Sequence, residues 1–244
     1  MKAAFYSGAA GLMAQQTALD NIGHNLANIN NAGYKNQRIG FESLMYRTMY
    51  LNSEDAPLTG TGVRAIDLGI DHTQGNFQQT NVFLDFAIQG NGMFAIESEG
   101  KRSYTRNGSF SMGLAENGTA YLTDIAGGFV LDAAGNRIQL PVDENGMPVT
   151  EGLADRIGVF VIQRPSVMTA LAGNRYATNE QTGAVRVGIN HQDYTLKQGV
   201  LEQANVHMED EMTRMIMAQR AFQLSARVVQ TADEIEQNVN TLRG

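Results

Sequence analysis

Both ends of the chain carry a helical apolar pattern, whereas the long middle segment has a different period. Near the N-terminus, apolar or small residues recur every three or four positions, at Phe5, Ala9, Leu12, Leu19, Ile22, Leu26 and Ile29. Near the C-terminus the same spacing includes Met212, Met215, Phe222, Val229 and Val239. This spacing places one apolar stripe along each helix, so we predict two long amphipathic helices whose stripes form an assembly interface.

The middle of the chain has the pattern of a β-domain. From Val63 onward the apolar period falls toward two, and Gly- and Asn-containing turn signals recur. Residues 84–88 and 93–96 flank Gly90-Asn91-Gly92, which predicts a β-hairpin. The predicted fold class is α+β: long N- and C-terminal helices pair in a coiled-coil-like layer and bracket a β-rich, mostly antiparallel middle domain.

These patterns divide the chain into three parts. We predict a terminal helical assembly domain from residues 1–33 and 205–244, a connecting segment at 34–75, and a β-rich domain at 76–204. Gly33 suits the left-handed conformation that follows a helix. Asn205 is expected to cap the start of the last helix.

Composition excludes several classes of function. The 244 residues carry a formal net charge of -7, which argues against a nucleic-acid-binding surface. Because no run of about eighteen apolar residues occurs, we expect no membrane span. The apolar start is short and interrupted by Ser7, Gly8 and Gly11, so we expect no cleaved signal peptide. With no Cys in the sequence, disulfides and thiolate chemistry are excluded.

Reactive side chains do not form a recognisable site. The four histidines, His24, His72, His191 and His207, do not have metal-ligand spacing. Asp67 and Asp85 stand among apolar neighbours and are candidate buried carboxylates, with Arg106 as the partner of one of them in a structural ion pair. We therefore expect no catalytic, metal or cofactor site.

Five segments together resemble one protein family. They are residues 25–35 (NLANINNAGYK), 73–80 (TQGNFQQT) with 84–94 (LDFAIQGNGMF), 104–110 (YTRNGSF), 198–206 (QGVLEQANV) and 211–222 (EMTRMIMAQRAF). They resemble, in the same order, the conserved motifs of bacterial flagellar rod and hook proteins. The motif positions are Asn25, Leu26, Ala27, Asn28, Gly33, Tyr34, Gln74, Gly75, Asp85, Gly90, Gly92, Arg106, Gly108, Gly199, Asn205, Gln219 and Arg220.

The resemblance implies a non-enzymatic structural subunit of the flagellar rod, similar to the distal-rod protein. Such subunits assemble helically with copies of themselves, contact other rod and hook proteins, and pass through the flagellar type III export apparatus without a cleaved signal. Their location is the basal body, with terminal helices inside and the β-rich domain outside. A proximal-rod or hook-junction relative, or a self-contained enzyme or ligand-binding domain, remains the alternative.

Overall fold

The computed structural model describes residues 2–48, 58–115, 118–142, 148–149, 152–189 and 192–242; His191 lies outside them. Its helices are α1 (Lys2–Ala27), α2 (Leu153–Arg156) and α3 (Met208–Thr241), with a 3₁₀ turn at Pro165–Val167. The strands in the first half are β1 (Gln37–Ser43), β2 (Tyr46–Thr48), β3 (Leu58–Gly60), β4 (Val63–Ile70), β5 (Phe77–Gln79), β6 (Phe86–Gly90), β7 (Met93–Ser98), β8 (Lys101–Thr105) and β9 (Phe110–Leu114). The later strands are β10 (Ala120–Asp124), β11 (Phe129–Val130), β12 (Val159–Ile162), β13 (Thr169–Leu171), β14 (Arg175–Ala177), β15 (Val185–Val187), β16 (Tyr194–Gln198) and β17 (Val200–Glu202).

The chain divides into two compact units. The first contains Met1–Ala27, Gln37–Leu68 and His207–Gly244, and the second contains Asn28–Asn36 and Gly69–Val206. The predicted helices at both ends and the β-rich, mostly antiparallel middle are confirmed. None of the described helices combines the length and the apolar character needed to cross a membrane.

In the first unit, α1 and α3 pack against each other in antiparallel directions. Gly8 lies against Val228 and Val229, whereas Gly11, one turn later on α1, lies against Ser225, one turn earlier on α3. The small residues of α1 allow this close approach. The buried apolar side chains of the two helices are Ala14, Ala18, Ile22, Ala218 and Ala232. In the same unit β1 pairs with β4, and β2 pairs with β3.

The helix ends differ slightly from the prediction. α1 ends at Ala27, and Gly33 adopts the expected left-handed conformation with φ of 67°. α3 starts after His207, so the prediction that Asn205 caps this helix is wrong. Glu209, Asp210 and Glu211 occupy the first turn of α3, where they interact favourably with the helix dipole.

The second unit is built on a large antiparallel sheet. Its described strands follow the order β13-β14-β8-β7-β11-β10-β9, with β12 paired to both β7 and β15. β7 is buried on both faces, because Phe94 and Ile96 enter one apolar core while Met93 and Ala95 enter the other. This alternation follows from the two-residue period of a strand.

The predicted hairpin around Gly90-Asn91-Gly92 is wrong. β6 pairs with β16, with Ile88 opposite Leu196, whereas β7 pairs with β8, β11 and β12. The turn therefore carries the chain from one sheet to another. Its glycines have positive φ angles, 105° at Gly90 and 135° at Gly92, which side chains rarely allow.

Candidate functional site

The predicted interface residues differ in how much of each side chain is covered within one chain. Ile22 is buried. Half-buried residues are Ala9, Leu12, Leu19, Leu26, Ile29, Met215, Phe222 and Val229. Phe5, Met212 and Val239 are exposed. Ile29 lies beyond the end of α1, within the second unit.

Val239 is exposed because α3 is longer than α1. The antiparallel helices place Gly8 level with Val229, and only six residues of α1 precede Gly8 in the described structure. The last turns of α3 therefore extend past the start of α1. Val239 keeps 37% of its surface exposed as a result.

The motif at the end of α1 joins the helix to β1. The buried side chain of Asn25 donates to the Gln37 carbonyl at 3.0 Å and accepts from the Gln37 amide at 3.1 Å. Asn28, just past α1, accepts from the Asn31 side chain at 2.7 Å. Leu26 is half-buried and Ala27 is exposed. In the α3 motif, Gln219 and Arg220 are also exposed. Asn25 is thus a structural link between two elements of the first unit.

The remaining motifs meet in a buried polar cluster of the second unit. Glu202 lies at its centre: one carboxylate oxygen accepts from Lys35 Nζ at 2.6 Å and from the Gly75 amide at 3.0 Å. The other oxygen accepts from Arg106 Nε at 2.6 Å. We call Lys35, Gly75, Arg106 and Glu202 the Glu202 cluster. It joins four segments that lie far apart in the sequence.

Arg106 also holds the turn that follows β6. Its guanidinium donates to the carbonyls of Ile88 at 2.8 Å and Gly90 at 2.7 Å, and to that of Gly92. These bonds satisfy carbonyls that a hairpin ladder would otherwise use. They hold the turn in place without a β6–β7 ladder, while β6 itself pairs with β16.

The predicted ion pair of Arg106 with Asp85 or Asp67 is wrong. Arg106 pairs with Glu202 instead. Asp85 is buried, and its main-chain carbonyl accepts from the Gly199 amide at 2.8 Å. Asp67 is exposed, contrary to the prediction. An apolar neighbourhood in sequence therefore identified the buried state of Asp85 but not the partner of Arg106.

Three motif glycines mark places where backbones touch. A Cβ atom on Gly33 would collide with the backbone of Asn107, and one on Gly75 with that of Gln203. At Gly108 a Cβ would collide with the Phe86 carbonyl. The Gly33 amide also donates to the main-chain carbonyl of Glu202 at 2.7 Å. These glycines are needed for the segments to meet around the cluster.

Two motif amides bind the surrounding backbone. The Asn205 carboxamide donates to the carbonyls of Asp71 at 2.8 Å and Thr73 at 3.1 Å, and accepts from the Asn36 amide at 2.8 Å. The backbone amide of Asn205 donates to the backbone carbonyl of buried Tyr34 at 3.4 Å. Asn205 is therefore committed to the second unit, which explains why it does not cap α3.

Gln74 acts in the same way on the other side. Its side chain donates to the Ile88 carbonyl at 2.6 Å and accepts from the Gly90 amide at 3.1 Å. It therefore fixes the end of β6, close to the carbonyls that Arg106 binds.

Burial and charge set the protonation of the cluster. Burial would raise the pKa of Glu202, but the charges of Arg106 and Lys35 outweigh it and hold that pKa below its usual value. Burial lowers the pKa of Lys35, and Glu202 offsets this only in part. Burial, with Lys35 and Arg106 adding, lowers the pKa of His72 to about 4.

The geometry is that of a structural core rather than a reaction centre. A cavity of about 620 Å³ adjoins Lys35, His72 and Arg106 and is also lined by Arg186. However, Lys35 and Arg106 use their donors on Glu202 and on backbone carbonyls. Among the described residues, no group of three or more His, Asp or Glu side chains could hold a metal ion.

Sequence reasoning missed the central pair, Lys35 and Glu202. Both stand inside the family motifs, at 25–35 and 198–206, but neither was predicted to be a site residue. A charged residue inside an otherwise neutral or apolar motif is the signal that could have identified them. Their pairing across 167 positions could not be read from spacing.

Three family models match the chain. Residues 5–35 match "Flagella basal body rod protein", residues 87–153 match "Flagellar hook protein FlgE/F/G D1 domain", and residues 197–242 match "Flagellar basal body rod FlgEFG protein C-terminal". The matched regions include the helices at both ends and much of the large sheet.

Curated relatives match over nearly the whole length. The flagellar basal-body rod protein FlgG of Bacillus subtilis (strain 168) is 33% identical, with all of both chains covered. FlgG of Borreliella burgdorferi is 30% identical over 100% of this chain and 99% of the relative. The rod protein FlgF of Mesorhizobium japonicum is 31% identical over 99% and 98%.

Proposed function

The chain belongs to the family of flagellar basal-body rod proteins, which are structural proteins and not enzymes, and on that premise we propose that it is a distal-type rod subunit that assembles helically with copies of itself. The observation that carries the proposal is the apolar surface left on α1 and α3. Phe5, Tyr6, Met13, Met217 and Leu224 are all exposed in the single chain. Apolar surface on this scale favours contact with other subunits.

We propose that α1 and α3 pair as an antiparallel coiled coil and form the assembly domain, 1–33 with 205–244. A set of buried and half-buried residues on α3 supports this geometry, because they alternate in steps of four and three: Glu211, Met215, Ala218, Phe222, Ser225, Val229 and Ala232. Two of them, Ser225 and Val229, lie against the α1 glycines Gly11 and Gly8. In this proposal 34–75 is the connecting segment and 76–204 the outer domain.

The proposed location is the flagellar basal body. The proposed partners are copies of the chain, other rod and hook proteins, and the flagellar type III export apparatus, which would export it without a cleaved signal. Support comes from the names of the relatives and from the family models at both ends of the chain.

The test is assembly of the purified full chain. Truncating a Leu in a helical core costs roughly 2–5 kcal/mol, so Leu26→Ala should weaken or abolish assembly, as should Met215→Ala. Tubes or filaments would be measured by sedimentation and electron microscopy, and the β-rich unit by near-ultraviolet circular dichroism of its tyrosines. The matched control is Leu114→Ala, because the Leu114 side chain is exposed on β9, outside the two helices.

Normal assembly by Leu26→Ala would show that its helix face is not an assembly surface. Failure of the unchanged chain to assemble under any condition would count against self-assembly itself. A FlgF-type position in the rod is the second candidate, favoured by the match to the Mesorhizobium japonicum protein. Rescue of motility in a strain that lacks FlgF, without rescue in one that lacks FlgG, would favour it.

A further inference from the structure

α3 carries a second apolar line, beside the face that packs on α1. Met217 and Leu224 are 58% and 59% exposed, and Val228 and Ile235 are also exposed. The steps of seven, four and seven place all four on one side of a helix with 3.6 residues per turn. Ala221 completes the three-four spacing between Met217 and Leu224. The line therefore has the period of a helix-packing seam.

This line is continuous with the interface that already exists. Val228 borders α1, because a Cβ on Gly8 would lie 3.4 Å from a Val228 methyl carbon. A helix laid along the line would therefore extend the α1–α3 layer sideways.

α1 carries an exposed line on its far side. Tyr6 and Met13 are 66% and 73% exposed and lie seven residues apart. Tyr6 is two positions before Gly8 and Met13 is two positions after Gly11, and both glycines face α3. Because two residues turn a helix by about 200°, Tyr6 and Met13 lie on the side of α1 away from α3. Asp20 follows seven residues after Met13 and is also exposed. The outer line of α1 is thus apolar at first and acidic at its end.

Charge favours contact between unlike helices. Arg220 and Arg227 are exposed along one side of the α3 line, three residues after Met217 and Leu224 respectively. Asp20 is the one formally charged residue between Lys2 and Lys35, so α1 presents no cation to these arginines there. If the α3 helices of two copies packed side by side in the same direction, Arg220 and Arg227 of one copy would instead lie near those of the other and repel them.

We propose that the exposed line of α3, from Met217 to Ile235, receives the outer face of α1, around Tyr6 and Met13, from a second copy of this chain. The proposal rests on the proposed self-assembly and names the surfaces that carry it. Because the two surfaces differ, each copy keeps one of each free after pairing. Such a heterologous contact extends as an open filament or tube rather than closing as a symmetric dimer.

The absence of Cys in the sequence allows a clean crosslinking test. One preparation of the full chain carries Met13→Cys, and another, labelled with ¹⁵N, carries Cys at Met217, Leu224, Val228 or Ile235. The two are mixed, assembled and mildly oxidised, and crosslinked peptides are identified by mass spectrometry. Every 13-to-α3 disulfide must then join two different copies.

The matched controls are Gln223→Cys and Gln230→Cys, which are exposed on α3 but lie off the line. Since a disulfide needs Cα atoms within about 7 Å, we expect at least about tenfold more disulfide from Met13→Cys to one position of the line than to either control. All substituted positions are exposed, so the variants should fold.

Assembled material in which position 13 does not crosslink to the line, or in which line-to-line disulfides dominate, would overturn this inference and leave self-assembly standing. Failure of the mixture and of the unchanged chain to assemble would instead overturn the proposed function, and this inference with it.

Discussion

At the scale of single residues, Glu202 is the position on which most of the second unit's polar structure depends. Its carboxylate is shared by Lys35 and Arg106, and all three side chains are buried. Desolvating three charges is costly, so the arrangement is tolerable only while every partner remains. Removing the single anion leaves two buried cations that face each other without compensation.

Glu202→Gln should therefore destabilise the folded chain by about 3–5 kcal/mol, the cost of breaking a buried ion pair from one side. The measurement is urea unfolding at pH 7 followed by far-ultraviolet circular dichroism. Glu97→Gln is the control, because Glu97 pairs with Arg137 at 2.8 Å on the surface. That change should cost less than about 1 kcal/mol. Equal losses in the two variants would show that the cluster is not a special source of stability.

His72 should make stability depend on pH. Its Nε2 lies 2.9 Å from the Pro165 carbonyl, while buried Nδ1 has no hydrogen-bond partner among the described residues. The folded pKa is about 4 against 6.5 for an unperturbed histidine. As pH falls from about 6.5 to 4, the unfolded chain takes up a proton that the folded chain resists. Stability should therefore fall across this window, by at most about 3 kcal/mol from this group.

The test compares the free energy of unfolding at pH 7 and pH 4.5 for the unchanged chain and for His72→Phe. Phenylalanine keeps a ring against Tyr176, whose ring centre lies 5.6 Å from that of His72, but it cannot titrate. The pH-dependent loss should be smaller in His72→Phe and unchanged in His207→Gln, whose side chain is exposed. An unaltered loss in His72→Phe would assign the effect to other groups.

At the scale of elements, the α1–α3 pair shows how small residues act in a helix. α1 has glycines at positions 8, 11 and 23, and each lowers helix propensity. Gly8 and Gly11 face α3, so close packing offsets that cost. A Cβ atom added at Gly23 would meet no heavy atom within 4 Å, so packing does not require a glycine there.

The same substitution should thus have different outcomes at two sites of α1. Gly23→Ala should stabilise the chain by about 0.5–1 kcal/mol through helix propensity. At Gly8 the new methyl would lie 2.9 Å from a Val229 methyl carbon, so that side chain must shift. Overpacking should make Gly8→Ala less stable than Gly23→Ala by about 1 kcal/mol or more, measured by thermal unfolding. Identical melting curves would mean that the helix pair accommodates the methyl freely.

At the scale of the whole molecule, the motifs that identify the family are also the places where distant segments meet. Gly33 and Lys35, Gln74 and Gly75, Arg106 and Gly108, and Glu202 and Asn205 come from separate parts of the chain. In the second unit they are joined by hydrogen bonds around Glu202 and Arg106, except Gly108, which lies against the Phe86 backbone. The motifs that carry the family resemblance therefore also contain the residues that make the tertiary contacts of this unit.

Local sequence determined the character of each part of the chain. Apolar spacing of three and four predicted the helices at both ends, and a period near two predicted strands, because these periods follow from backbone geometry. The left-handed Gly33 was predictable for the same local reason. The predicted domain boundaries and the predicted assembly surface remain predictions.

Tertiary structure alone decided which distant groups meet. It paired Arg106 with Glu202 rather than Asp85, opened the expected hairpin at Gly90 and Gly92 into a crossing between sheets, and drew Asn205 away from α3. It also left a second apolar line exposed on α3. Local periodicity cannot supply such facts, since each depends on segments separated by many residues packing together to satisfy buried charges and carbonyl groups.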